Sequence, residues 1–147
     1  DLMIRTVEHT AGLLDPGKPR YLMGAGMPAD IVAAVRSGVD MFDCVLPTRN
    51  GRNAYAFTAG GPLRMRNSIH AEDPAPIEAG CDCYACRHYT RATIRHFCNC
   101  GEMLGSILLS MHNIRFYQRL MAQIRDAIER DLFATWSAEA LGHYRSV

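Results

Sequence analysis

Three cysteines within six residues, Cys81-Asp82-Cys83-Tyr84-Ala85-Cys86, are the densest group of metal-ligating side chains in this 147-residue chain. Thiolates at that spacing can enclose one ion from a single short loop. A neutral imidazole from His112, further along the chain, would complete a closed tetrahedral Cys₃His shell, the arrangement that structural zinc prefers. Soft sulfur argues against magnesium and calcium, and a nitrogen ligand argues against a plain iron–sulfur cluster. The competing reading is a set of reduced, packed thiols beside a hydrogen-bonded core histidine. The sequence therefore predicts one structural zinc per chain. A closed shell leaves no position for water, so any catalysis must lie elsewhere.

Asp43 is the second residue with chemical potential. It lies near the C-terminal end of an otherwise apolar segment, Phe42-Asp43-Cys44-Val45-Leu46, where a carboxylate is costly to bury without a purpose. In parallel α/β folds that end of a strand is where active sites gather. There a carboxylate can serve as nucleophile, general base or metal ligand, or it can simply cap the loop that follows. Composition leaves these alternatives open.

The elements that must position these groups are legible in outline. The Asp15-Pro16-Gly17-Lys18-Pro19 segment is a turn that closes a short apolar-polar stretch, so residues 1–19 read as the end of something. Residues 20–23 form a short strand that stops at Gly24-Ala25-Gly26. Pro28 then opens a helix with Ile31, Val32 and Val35 on its buried face, Gly38 ends it, and a second strand covers residues 39–46. This strand–helix–strand order predicts one βαβ unit with parallel strands. After Pro47 the chain turns rich in Gly, Pro, Asn and Arg and reads as loop, with strand-like pieces at 54–57 and 63–66 joined as a hairpin around Gly60-Gly61. A helix beginning near His88 is expected to carry Arg87, Arg91 and Arg95 on one face. A longer helix over 102–131 is expected to bury Leu104, Ile107, Leu108, Met111, Ile114, Leu120, Met121, Ile124 and Ile128, with His112 beside that stripe.

The totals, 48% hydrophobic and 21% charged residues, fit one globular domain. No apolar run approaches the roughly 18 residues of a membrane helix and no charged-then-apolar leader opens the chain, so the expectation is a soluble cytoplasmic protein with no membrane partner. Cys81, Cys83 and Cys86 sit too close for easy mutual bridging, and thiolate ligands suit a reducing compartment. Net charge is only +1, but fifteen of the sixteen basic residues are arginine. Seven of them lie between Arg49 and Arg95, against four acids. Arginine's planar fork suits phosphate and base edges, although an arginine-biased genome explains the ratio equally well.

Three blocks of residues then carry a resemblance: Arg20-Tyr21-Leu22-Met23-Gly24; Asp40-Met41-Phe42-Asp43-Cys44-Val45-Leu46-Pro47-Thr48-Arg49-Asn50-Gly51-Arg52-Asn53; and the Cys-x-Cys-x-x-Cys loop with Met111-His112-Asn113. In register across residues 20–128, they resemble the tRNA-guanine transglycosylase family, and Asn50-Gly51-Arg52-Asn53 favours its bacterial, queuosine-pathway form. The resemblance implies an α/β fold, the C-terminal portion of a (β/α)₈ TIM barrel with an inserted zinc-binding subdomain. It implies exchange of guanine at the wobble position of a tRNA anticodon for a 7-deazaguanine base of the preQ1 type. On that mapping Asp43 is the nucleophile that forms a covalent aspartyl-ribose ester. Met23 and Gly24 border the base pocket, and Cys81, Cys83, Cys86 and His112 bind zinc. The RNA-contacting stretches map to Gly24, Ala25, Gly26, Met27, Pro28, Ala29 and Asp30, and to Thr48, Arg49, Asn50, Gly51 and Arg52.

Family members are much longer, and this chain aligns with their C-terminal part. The expected organisation is a last strand–helix–strand unit of the barrel over 1–47, an RNA-contacting loop and zinc subdomain over 48–112, and closing helices over 113–147. The upstream carboxylate that serves the family as acid/base partner has no counterpart here, so these residues alone are expected to lack exchange activity. Ala54 departs from the glycine usual after Arg-Asn, and Thr93 from an aromatic residue near the family's homodimer contact. Cys98 and Cys100 lie outside the family's zinc set and read as spare thiols. Two other classes compete with the enzyme: a non-catalytic, zinc-held module that docks RNA or a partner, and an unrelated zinc-ribbon adaptor. Noncatalytic relatives tend to lose the nucleophile, and Asp43 is present.

Overall fold

A computed structural model describes residues 2–145, which divide into two compact units. The first comprises residues 1–45 and 120–147, the second residues 46–119. No helix among the described residues is long and apolar enough to cross a membrane.

The first unit is built on a strand–helix–strand core. β1 (Tyr21–Met23) and β2 (Met41–Asp43) pair in parallel, in the register Tyr21↔Met41, Leu22↔Phe42 and Met23↔Asp43. Side chains alternate across a strand, so Leu22 and Phe42 share one face and pack on Val7, Ala34 and Val39. Tyr21, Met23, Met41 and Asp43 share the other face, where Met23 is 72% exposed. The connecting helix α2 (Pro28–Arg36) starts with Pro28 in its first turn and buries Ile31, Val32, Ala33 and Ala34. It packs against α1 (Leu2–Leu13) and α7 (Phe133–Arg145). The expected turn before β1 is present, with Asp15 Oδ1 accepting from the Gly17 N–H at 2.9 Å. The stretch before it, expected only as a short apolar-polar segment, is a full helix, α1. Val7 and Ala11, one turn apart, give it a narrow buried stripe that its mixed polarity concealed.

The second unit runs through α3 (Leu46–Arg52), β3 (Tyr55–Ala56), β4 (Leu63–Arg64), a 3₁₀ turn (Ser68–His70), α4 (Tyr84–His88), α5 (Arg91–Asn99) and the first part of α6 (Met103–Glu129). β3 and β4 form the expected antiparallel hairpin, in the register Tyr55↔Arg64 and Ala56↔Leu63. Its core gathers Ala56, Met65, Ile77, Ile94, Leu108 and Leu109 around the thiols of Cys81, Cys83 and Cys98.

Three expectations need correction here. The segment after Leu46 is helix, not loop: α3 forms despite Asn50 and Gly51 because Gly51 presses on α6, where an added Cβ would stand 2.5 Å from Ser110 Oγ and 2.7 Å from its backbone N. Arg87, Arg91 and Arg95 do not share a face. The helix breaks at Tyr89–Thr90, and Thr90 caps α5 by accepting from the Thr93 N–H at 3.1 Å. The buried stripe of α6 is also rotated from the expected one. Leu104, Ile107, Met111, Ile114 and Ile128 are exposed, whereas Leu108, Leu109, His112, Asn113, Phe116, Leu120, Ile124 and Ala127 are buried. The polar pair His112-Asn113 took the inward positions, and apolar counting alone could not find that.

Asn113 explains the rotation. Its Oδ1 accepts from the Phe57 N–H at 2.9 Å, and its Nδ2 donates to the carbonyls of Pro47 and Tyr55, both at 2.9 Å. One fully buried amide thus holds the start of α3 and the whole of β3. Asn113→Ala leaves those backbone groups without partners and is expected to lower unfolding stability by roughly 2–4 kcal/mol. Thermal or urea denaturation at fixed metal content reads the difference, and a shift below about 1 kcal/mol would mean the hairpin is held by apolar packing alone.

Candidate metal centre and strand-end carboxylate

The cysteine loop is shaped by its own backbone. Cys81 follows Gly80, and Cys83 caps α4, its Sγ accepting from the Cys86 N–H at 3.4 Å. That single turn brings the third thiol back over the first two. His112 enters from α6, and its Nδ1 lies 3.7, 3.6 and 3.4 Å from the Sγ atoms of Cys81, Cys83 and Cys86. A tetrahedral ion with bonds of about 2.3 Å to sulfur and about 2.0 Å to nitrogen sets sulfur–nitrogen edges of about 3.5 Å. The four donors therefore already have the separations of a closed shell, and all lie within 4.8 Å of one another.

The surroundings fit the same purpose. His112 is fully buried, and its Nε2 donates to the Phe57 carbonyl at 2.8 Å. That bond fixes the tautomer with a lone pair on Nδ1, which is how ligating histidines are oriented. Without an ion, three touching thiols cannot ionise alike. The hydrogen bond from Cys86 pulls Cys83 well below the ordinary thiol range, while that bond and burial push Cys86 up. A cation resolves the conflict by accepting all three thiolates. Two ion pairs brace the loop against the same face of α6. Arg115 makes a bidentate contact to Asp82, at 2.6 and 2.7 Å, and holds that carboxyl below its usual range; Arg119 pairs with Glu78. Cys98 and Cys100 stay outside the cluster: Cys98 is packed in the core, and Cys100 is exposed beside His96.

Asp43 closes β2 in the other unit and is exposed. Its Oδ1 accepts from the Tyr21 hydroxyl at 2.7 Å and from the Gly24 N–H at 3.2 Å. Its Oδ2 has no hydrogen-bond partner among the described residues. The chain supplies this geometry directly. Parallel pairing sets Met23 beside Asp43, so the Gly24 N–H is shared between the Asp43 carbonyl at 3.1 Å and its Oδ1 at 3.2 Å. Gly24, at φ +73°, then turns the chain away. Tyr21, two residues before Met23, sits on the same face of β1. Hydrogen bonding to Asp43, more than burial, raises the Tyr21 pKa, so the phenol stays a donor through the neutral range. Sequence reasoning missed Tyr21 and Asn113; the period-two spacing of Tyr21 and Met23 held a signal for the first.

The remaining candidates are distributed as follows. Gly24 and Met27 are exposed, Ala25, Ala29 and Asp30 half-buried, and Gly26 and Pro28 buried where the chain enters α2. On α3, Arg49 and Arg52 reach solvent, Thr48 and Asn50 are half-buried, and Gly51 is buried. Ala54 lies at φ +57°, in the left-handed region that glycine adopts freely, so a side chain there costs about 1 kcal/mol.

A family model described as queuine tRNA-ribosyltransferase matches residues 1–146. The queuine tRNA-ribosyltransferase of Haemophilus ducreyi is 53% identical over 137 residues, which is 93% of this chain and 36% of that protein. That of Pasteurella multocida is 51% identical with the same coverage, and that of Nitrosomonas eutropha 53% identical over 95% of this chain and 39% of its own length. The chain thus spans little more than a third of these relatives.

If the four-residue cluster holds an ion, native mass spectrometry should find one metal per chain, and Cys86→Ser should lose most of it. Chelation should also lower the melting temperature by several degrees, because an ion bound only by the folded state stabilises it. A chain that melts unchanged after complete chelation has only packed thiols at this place.

Proposed function

The chain belongs to the queuine tRNA-ribosyltransferase family, and on that premise we propose that it carries the nucleophile of a tRNA base-exchange enzyme. In this reading guanine at the anticodon wobble position is replaced by a 7-deazaguanine base, in the cytoplasm, as a step of queuosine formation. The observation that carries it is the state of Asp43: exposed, at a strand end, one oxygen fixed by two donors and the other open.

The chemistry follows from that arrangement. Oδ2 attacks the ribose anomeric carbon as the carbon–nitrogen bond to guanine breaks, and the bonding pair leaves with the purine. The transition state is oxocarbenium-like, so a fixed carboxylate oxygen beneath the sugar is what it needs. A proton must reach the departing base; its donor belongs to the part of the family's fold that these residues do not include. The resulting aspartyl-ribose ester is then opened by the incoming deazapurine. Its ring nitrogen bonds to the anomeric carbon and gives up its proton to the group that protonated guanine, releasing the carboxylate and restoring the original stereochemistry. Tyr21 and the Gly24 N–H keep Oδ1 engaged, so Oδ2 is the attacking atom. Met23 offers an apolar wall to a base drawn out of its stack, and Arg49 and Arg52 offer forks to flanking phosphates.

The face of β1 and β2 bearing Tyr21, Met23, Met41 and Asp43 suits the interior of a (β/α)₈ barrel, to which this unit contributes closing strands. The ion is zinc, selected by three soft sulfurs and one imidazole in a tetrahedral shell. It supplies no chemistry to the sugar; the closed shell braces the subdomain. Partners in this reading are tRNA, the free deazaguanine base and a second copy of the chain. The 147 residues alone lack exchange activity, because two strands do not enclose a base.

In a full-length enzyme carrying these residues, Asp43→Asn should abolish the RNA–protein adduct seen on a denaturing gel; an adduct that persists removes Asp43 from the mechanism. The isolated chain should incorporate no labelled guanine into tRNA. Tyr21→Phe should lower kcat about 10- to 100-fold while leaving KM for tRNA nearly unchanged, since it releases Oδ1 without touching the RNA. A rise in KM at constant kcat would instead make Tyr21 a binding group.

A further inference from the structure

The arginines of the second unit are not equivalent. It holds nine arginines and five acids, a net charge of +4, while the first unit carries −3. Three of the five acids are already committed: Asp73 to Arg91, Asp82 to Arg115 and Glu78 to Arg119. Arg64 and Arg66 make no ion pair and no hydrogen bond among the described residues, and both are exposed on either side of the fully buried Met65. Arg64 ends β4 and Arg66 lies in the turn that follows, which the Asn67 N–H closes on the Arg64 carbonyl at 3.0 Å. Tyr55, paired with Arg64 across the ladder, is half-buried on the face that bears Arg64. Arg95 approaches from α5, half-buried, its Nε donating at 3.0 Å to the carbonyl of Asn67, the residue after Arg66. The Cys98 thiol, one turn beyond Arg95, is raised by burial and drawn partly back by the Arg66 charge, so Arg66 is within electrostatic reach of α5.

We propose that this end of the hairpin, formed by Arg64 and Arg66 with Arg95 beside them, is a contact surface for the RNA sugar–phosphate backbone, separate from the stretches that the family resemblance assigns to RNA. The proposal rests on tRNA being the substrate. Exposed guanidinium forks clustered at the end of the hairpin suit a chain that presents one phosphate per nucleotide. A neighbouring aromatic ring suits an adjacent base better than it suits an acidic protein surface. Contacts of this kind position a strand without reading its sequence. They also give a use to arginines that accumulate in a unit where three of the five acids are already paired with others.

Binding of a fluorescent anticodon stem-loop RNA to the metal-loaded chain, followed by anisotropy across a salt series, tests the proposal. R64Q/R66Q should raise Kd about tenfold near 0.15 M salt and flatten the slope of log K against log salt by about 1.4, equally for a scrambled loop. R64K/R66K keeps the charges and should retain the slope, which separates lost contacts from lost folding; unchanged metal content checks the same point. Arg5→Gln, on α1, should have no effect. If R64Q/R66Q binds as the parent does while R49Q/R52Q binds weakly, this surface is not an RNA contact although the substrate reading stands. A parent chain with no salt-dependent affinity for RNA, or one that binds an acidic polypeptide equally well, overturns the proposal; absence of base exchange in the full-length enzyme separately overturns the substrate reading.

Discussion

Two adjacent side chains of α6, His112 and Asn113, hold the second unit together, and both act on the same short piece of backbone. The Phe57 N–H goes to Asn113 and its carbonyl to His112. Each bond does a second job. By taking the Nε2 proton, the Phe57 carbonyl leaves Nδ1 able to face the three thiols. By spending its amide group on Pro47 and Tyr55, Asn113 fixes where α3 begins and where β3 lies. Hairpin, helix and cysteine loop are therefore not independently placed; they share one pair of residues on one helix turn. Buried polar networks of this kind tolerate little, since each unmet donor costs as much as a sizeable apolar contact.

The same economy governs Asp43 in the other unit. A carboxylate left to itself at a strand end would rotate and hydrate. Here one oxygen is claimed by a phenol and a backbone N–H, so the other is directed without being consumed. Nothing larger than a tyrosine on the neighbouring strand and one ladder N–H shared with the Asp43 carbonyl is required. The in-register pairing of Met23 with Asp43 makes both available, because it fixes which residues of β1 share the carboxylate's face.

What the sequence disclosed divides along physical lines. The strand–helix–strand order, the hairpin at Gly60-Gly61 and the Cys₃His set were legible because each depends on local spacing or on residue types with few alternative uses. α3 was not, because its formation turns on Gly51 approaching Ser110, a contact 59 residues away in the chain. The buried face of α6 was misjudged because hydrophobic counting put Ile107, Met111 and Ile114 inward, whereas His112, expected beside that stripe, and Asn113 take the inward positions. The break before α5 had a visible signal in Thr90 and Thr93, a capping pair outweighed by the arginine spacing around it. Asp43 was found as a residue; the oxygen that is free was not, since Tyr21 meets it only across the ladder.

Charge distribution carries the last step. A net charge of +1 reads as indifference to nucleic acid, yet it conceals a +4 unit and a −3 unit in one chain. At physiological ionic strength fields decay over about 8 Å, so a polyanion senses the nearer surface and not the total. The paired acids sharpen this. Asp73, Glu78 and Asp82 neutralise Arg91, Arg119 and Arg115 in structural roles, which leaves Arg49, Arg52, Arg64, Arg66, Arg87 and Arg95 without a carboxylate partner among the described residues. Arginine that must hold the fold and arginine that can meet a phosphate are thus separated by whether a carboxylate already stands within reach. That criterion needs coordinates, and the charge sum of a chain cannot replace it.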